Sequence, residues 1–398
     1  MFEIDQCEVC DNKLLEEVFS IGPMPLNECL VPIGESHNCE KYPIEIVYCN
    51  ECYTAHQKFQ VPKTNLFQPG YKYRARMTGS VLKGMSDLAD SCERRYGDLS
   101  GKLVLDIGCN DGSFLNFFKE KGCRTVGVEP TDAAKDSVHP TINEYFDEKT
   151  ADRIIAEFGQ PDLITFTNVF AHIEDLKGLL AALEKLMGKD TNLVIENHYL
   201  GAVLKTGQFD TFYHEHPRTY SKKSFEFIAR SLDRNLTNVE FVSRYGGNIR
   251  VFIGNGEVTD VTNVDESDFL EKFKIMSDDM AVWKKETKEF LVDHVKKHGK
   301  IRAKAFPGRA AILVNLLGLD ESLVSAVYEI KGSIKVGHYV PGTRIPILPE
   351  AELYQLDKDQ PILNLAWHLP AEVRANLAKN GYTGKVYDVK VAEIPEDI

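Results

Sequence analysis

The chain has 398 residues, a formal net charge of −13, 43% hydrophobic residues and 27% charged ones. That length allows two or three domains, and the acidic balance excludes a non-specific nucleic-acid binder, which needs a basic surface. No apolar run approaches the ~20 residues that span a bilayer, and the opening MFEIDQCEVCDN lacks a basic-then-apolar leader, so the expectation is a cytoplasmic protein with neither nucleic acid nor membrane as a partner.

Three segments follow along the chain, 1–72, 73–258 and 259–398, with no internal repeat. The first is punctuated by Pro23, Pro25, Pro32 and Pro43 and reads as irregular. It holds six of the nine cysteines: Cys7, Cys10, Cys29, Cys39, Cys49 and Cys52. In a large chain read as cytoplasmic, clustered thiols point to metal before disulfides. Cys7-x-x-Cys10 and Cys49-x-x-Cys52 form two knuckles, and four thiolates complete a tetrahedral sulfur shell that suits Zn²⁺. The 38 residues between the pairs exceed the common zinc-ribbon spacing. Four protein ligands leave no open position, so the role is structural, in a segment whose own core is thin.

The second segment alternates short β-branched runs with helical ones, as a parallel α/β sheet does. LVLDIG (103–108), RTVGVE (124–129), DLITFTNV (162–169) and NLVIENH (192–198) read as buried strands. GSFLNFFKEKG and DLKGLLAALEKLMG read as helices ending in glycine. A long charged helix, about 266–298, leads into a third segment in which KIRAKAF, AAILVNLLG and SAVYEI alternate again, so a second, smaller α/β unit is expected.

Between the first strand and its helix lies Gly108-x-x-x-Gly112, after Asp106. Glycines there let the backbone approach a ligand closely, and Glu129, at the end of the second strand, can accept bonds from both hydroxyls of a ribose. The loop is not GxGxxG, so a dinucleotide is disfavoured. Its spacing resembles that of class I S-adenosylmethionine-dependent methyltransferases, in which the amino-acid part of the ligand sits over the glycines. That resemblance places Asp106, Gly108, Asn110, Gly112, Glu129 and Asn168 at the cofactor.

FYHEHPRTYS (212–221) packs a phenol, two imidazoles and a carboxylate into four positions. Pro217 disfavours helical angles at His216, so the segment reads as extended, with His214 and His216 on one face and Tyr213 and Glu215 on the other. Three readings stand: a His-x-His metal site, a satisfied polar strand end, and an acid–base centre. Metal is the weakest, because no further ligand follows at short spacing. His172, after the strand carrying Thr165 and Asn168, belongs at the carboxyl edge of the sheet, where open α/β sheets bind ligands. ENHYL adds His198 near the same edge.

The CxxC…CxxC head, DIGCNDG, VEP, NVFAHIEDL, FDTFYHEHPRTYS and KVGHYVPGTRIPI occur in this order from about residue 7 to 347. Together they resemble the sugar C-methyltransferases that act on nucleotide-linked (dTDP) 4-keto deoxysugars. The resemblance implies a zinc-binding N-terminal domain, a central methyltransferase domain of Rossmann-like fold, a C-terminal α/β domain that helps to bind substrate, and S-adenosylmethionine as cofactor. It implies His216 as the base, with Tyr213, Glu215, His172 and Tyr73 orienting the sugar or stabilising an enolate. KAFPGRAA (304–311) and YEIKGSIKVG (328–337) depart from the family's GYGAPAKG-like turn and DKNPxKxG stretch. Methylation of oxygen or nitrogen on another nucleotide-activated metabolite is therefore the alternative, and a zinc module with a vestigial cofactor fold is a third. A monomer is compatible with all three.

Overall fold

The computed structural model describes residues 1–66, 74–77, 79–259 and 263–390. Tyr73 lies outside them. No helix among the described residues is long and apolar enough to cross a membrane.

The N-terminal segment is more regular than its prolines imply. Leu15–Pro25 and Lys41–Cys49 form a long antiparallel pair, extended by Ala55–Gln57. Proline lacks the N–H that a ladder needs and is tolerated at irregular or terminal positions. Here Pro23 faces Pro43 at the far end of the pair, beyond irregularities between Glu17/Phe19 and Ser20/Gly22. The fourth strand, Arg218–Thr219, comes from the central segment and pairs with Ala55–His56.

The central sheet has seven strands. Leu103–Ile107, Arg124–Val128, Thr141–Ile142, Leu163–Thr167 and Asn192–His198 are parallel. Asn248–Gly254 runs antiparallel between Asn192–His198 and Asn235–Val242. In chain order that is 3-2-1-4-5-7-6, the class I methyltransferase arrangement implied by the loop. Side chains alternate across it. Val104, Val194 and Phe252 pack with Leu88, Phe114 and Phe118, from Gly79–Tyr96 and Ser113–Glu120. Leu105, Ile164 and Leu193 pack on the other face with Leu183 and Phe225, from Leu176–Leu186 and Lys222–Ser231. Both faces covered makes the four longer parallel strands apolar runs, which is why the sequence revealed them; Thr141–Ile142, Asn235–Val242 and Asn248–Gly254 it did not single out.

Phe269–His298 then crosses between lobes. Its Phe273 stacks near Tyr48 and Phe212, with ring centroids 5.7 and 6.1 Å away. It ends at Gly299, whose φ of 82° closes the helix. The C-terminal sheet has five parallel strands, Ile301–Lys304, Val324–Glu329, Ile347–Pro349, Ile362–Asn364 and Val386–Asp388, in the order 3-2-1-4-5. One apolar cluster joins Phe19 and Ile46, Leu105 and Ile164, and Ala303 and Ile312, so the three segments share a core.

Candidate active site

The four knuckle sulfurs lie within 4.8 Å of one another, Cys7 to Cys52 at 3.4 Å and Cys10 to Cys49 at 3.6 Å. A zinc ion with ~2.3 Å bonds sets tetrahedral sulfurs about 3.8 Å apart, whereas a disulfide needs ~2.05 Å. The donor set fits zinc. Each knuckle is closed by a left-handed residue just after its second cysteine: Asp11 at φ 59° and Tyr53 at φ 58°. Their N–H groups donate to the carbonyls of Cys7 and Cys49.

The glycine loop has the shape a nucleoside ligand requires. Gly108 and Gly112 sit at φ 75°, and Asn110 at 51°. A side chain on Gly108 would meet Val169 at 2.6 Å, and one on Gly112 would meet Ser137 Oγ at 2.6 Å. Glu129 accepts from the N–H of Asn110 at 3.1 Å and of Thr131 at 2.8 Å, which tethers its carboxylate to the loop. Asp106 lies behind it and accepts from Thr165 Oγ1 at 2.8 Å. Burial, aided by the charge of Glu129, pushes its carboxyl up to about 7. Two carboxylates beside these glycines suit the hydroxyls and ammonium of S-adenosylmethionine, and would repel a pyrophosphate. Asn168, at φ 55°, is held by its N–H to the carbonyl of Glu196 and by Asn248 on its side-chain oxygen.

The YHEH segment is a turn, contrary to the extended reading. The N–H of His216 donates to the carbonyl of Tyr213 at 2.8 Å. Pro217 restricts His216 alone, and three residues upstream the chain is free to fold back. The turn sends the two histidines apart. His214 reaches the N-terminal sheet, where its Nε2–H donates to the carbonyl of Tyr42 at 3.1 Å. His216 joins Tyr213 instead, with ring centroids 4.1 Å apart, and lies 4.7 Å from His172 and 5.4 Å from His198. His214 is thus an anchor, and the expected pairing of His214 with His216 is lost.

A carbonyl can only accept, so the contacts assign tautomers. His216 Nδ1–H donates to the carbonyl of Thr211 at 3.1 Å, leaving Nε2 with the lone pair. His172 Nδ1–H donates to the carbonyl of Glu215 at 2.7 Å. Burial, then the neighbouring charges of His172 and His198, hold His216 well below the usual histidine range, so it stays neutral. Glu215 moves the opposite way: burial, with Glu28 nearby and Lys335 opposing, pushes it up to about 8. Burial likewise raises the Tyr213 phenol. Near neutrality this edge offers an unprotonated imidazole beside the protonated phenol of Tyr213, with the protonated Glu215 carboxyl on the preceding residue.

His198, which the sequence reading left without a role, has its ring 5.9 Å from Tyr245. Burial and the charge of Arg309 lower it to about 3. The reading also missed Asp210, fully buried, which accepts from Arg309 at 2.8 Å twice and from Trp367 Nε1 at 2.8 Å. That triad locks the C-terminal lobe onto the stretch just before the turn. Arg309 lies in KAFPGRAA, the departure already noted, so composition at that loop was the available signal.

Three families match in tandem. Residues 7–67 match one whose description names a zinc binding domain, 74–240 one described as a methyltransferase domain, and 245–389 one described as a C-methyltransferase C-terminal domain. The C-methyltransferase NovU of Streptomyces niveus is 32% identical over 254 residues, 63% of this chain and 60% of that protein. The chain is thus similar to C-methyltransferases in its methyltransferase and C-terminal matches. A ubiquinone biosynthesis O-methyltransferase of Escherichia coli O7:K1 is 29% identical over 99 residues, 23% of this chain and 41% of that one. These alignments span less than two thirds of either relative's length. Among solved structures, the magnesium protoporphyrin IX methyltransferase of Synechocystis PCC 6803 with bound SAH overlaps at a TM-score of 0.34 and 14% identity, covering 49% of this chain and 92% of its own. The glycine loop, His172 and the YHEH turn lie in the methyltransferase match, and Arg309 lies in the C-terminal one.

Proposed function

We propose that the protein transfers a methyl group from S-adenosylmethionine to the carbon beside the ketone of a nucleotide-linked 4-keto deoxysugar, in the cytoplasm. The observation that carries this reading is the tautomer of His216: Nδ1–H is committed to a carbonyl, so Nε2 is a base held neutral next to the Tyr213 phenol. A C–H beside a ketone needs a base to take its proton and a donor to hold the oxygen that becomes negative. His216 takes the proton, and Glu215 and Tyr213 donate to the enolate oxygen. A carboxylic acid kept neutral by burial can do this. His216 is a weak base in the resting protein, and the adjacent enolate stabilises its imidazolium as it forms. His172 fixes the turn through Glu215. Tyr73 is assigned to the sugar on the family resemblance alone. Asp106, Asn110, Glu129 and Asn168, with Gly108 and Gly112, hold the cofactor, which when bound supplies an electrophilic sulfonium methyl.

In this reading residues 1–72 form the zinc domain, 73–258 the methyltransferase domain and 259–398 a lobe that closes over the nucleotide carrier. Incubation of nucleotide-linked 4-keto deoxysugars with the protein and S-adenosylhomocysteine in D₂O tests it. Deuterium should enter the α-carbon, and with S-adenosylmethionine the product should show a C-methyl resonance upfield of any O-methyl. A product methylated on oxygen, with no deuterium entry, would overturn the carbanion route.

A further inference from the structure

Buried and part-buried polar contacts lead from the zinc site to the backbone beside His172 and the YHEH turn. Cys7 Sγ lies 3.3 Å from His56 Nε2, and the other nitrogen of that ring lies 3.4 Å from Glu8. Glu8 also accepts from Gln60 at 2.8 Å and pairs with Arg218 at 2.7 Å. Arg218 is 0% exposed. It gives Nε to the Tyr220 hydroxyl at 3.0 Å, Nη1 to the carbonyl of Glu174 at 3.3 Å and Nη2 to the carbonyl of Ile173. Those carbonyls directly follow His172. On the other side, Gln57 donates its N–H to the carbonyl of Pro217 at 2.8 Å and its amide to that of Tyr213 at 3.3 Å, bracketing the YHEH turn.

A buried ion pair adds little net stability, because desolvation consumes most of the attraction. A planar fork with five donors, by contrast, fixes the carbonyls it binds in direction as well as distance. We propose that the zinc-bearing sheet is the template that sets His172 and His216 against each other, with Arg218 and Glu8 as positioning residues and His56 linking them to the thiolate. This rests on the reading of His216 as the base. The zinc ligands hold the knuckles, the knuckles hold Ala55–His56, and that strand pairs with Arg218–Thr219 one residue after the proline of the turn.

The test compares Arg218→Lys and Glu8→Asp with Ser224→Ala, which removes interface contacts to Thr54 and the carbonyl of Cys52 at the knuckle but none to Arg218 or Glu8. Arg218→Lys keeps the charge and loses the fork, and Glu8→Asp serves if the lysine variant does not fold. Bound zinc, S-adenosylhomocysteine affinity, α-deuterium entry and long-range ¹H–¹⁵N spectra of the histidine rings are read for each. The expected result is zinc and cofactor binding within twofold of the parent, kcat and deuterium entry down at least tenfold with KM little changed, and displaced His172 and His216 ring resonances. Ser224→Ala should leave those resonances in place. Unmoved resonances in both positioning variants, equal displacement in Ser224→Ala, or losses that track zinc content would overturn the proposal. If the parent itself takes up no deuterium, the base assignment fails, and the ring resonances still decide the template separately.

Discussion

The molecule holds a mixed central sheet and a parallel C-terminal sheet whose first strands end in loops of the same topological place, and the two edges carry different residues. After Leu103–Ile107 the chain turns on glycines at positive φ, and carboxylates from two strands face the loop. After Ile301–Lys304 it turns on Ala305, at φ 64°, and buries Phe306. Lys304 is 2% exposed and bound to Glu350 at 3.0 Å, while Glu329, at the end of the neighbouring strand, accepts from the N–H of Phe306 at 3.2 Å. At the second edge the side chains next to the loop are thus committed to one another, where doubly wound folds use this place for ligands. Topology permits a site, and the residues at the strand ends decide whether one exists.

The comparison breaks most sharply at His216. His216→Asn should lower kcat about 10²–10⁴-fold, the usual worth of a general base, with S-adenosylhomocysteine affinity by calorimetry unchanged. At the second sheet, Lys304→Met should leave cofactor affinity unchanged. It removes one partner of a buried pair, so the denaturant midpoint should fall by an amount equivalent to about 3 kcal/mol. Gly112→Ala should weaken cofactor binding about tenfold, because a left-handed alanine costs ~1–2 kcal/mol before it meets Ser137. Gly308→Ala, in the matching loop of the second sheet, has Asn27 no nearer than 3.8 Å and no positive φ, so it should change stability by less than about 0.5 kcal/mol.

The remaining effects are ones of pH. Glu215 donates only while protonated, and its carboxyl stands at about 8. Turnover should therefore hold through neutrality and decline as pH rises through about 8, and Glu215→Gln should remove that limb. Stability responds in the other direction at His214, which burial lowers to about 4. The unfolded chain binds this proton near 6.5. Folding is therefore penalised progressively as pH falls from 6.5 towards 4, a loss of roughly 3 kcal/mol for this group by linkage. Denaturant midpoints across that window measure it.

What could be read from the chain was local. The central strands are covered on both faces, so they stand out as apolar runs, and the paired cysteines announce their ligand set by spacing. The prolines of the N-terminal segment misled, because a proline's cost depends on whether its partner strand needs the missing N–H, and Pro23 faces Pro43. The YHEH stretch misled for a similar reason: one proline constrains only the residue before it, while the hydrogen bond from His216 to Tyr213 sets the rest. Arg218 and Glu8 lie 210 residues apart and carry no spacing signal at all.

By itself the sequence determined three things about this protein: the four longer parallel strands of the central sheet, which thiols can bind an ion, and which loop can lie under a nucleoside. Hydrophobic periodicity, ligand spacing and glycine's conformational freedom are properties of neighbours in the chain. Only the tertiary structure decided which histidine sits with His172 and His198 and which anchors to the N-terminal sheet, and that the second sheet's first loop turns on Ala305. It also decided that the zinc-bearing sheet takes its last strand from beside the proposed base. Those are matters of burial and of hydrogen bonds between distant segments, where the free energy of a side chain depends on what the fold brings against it.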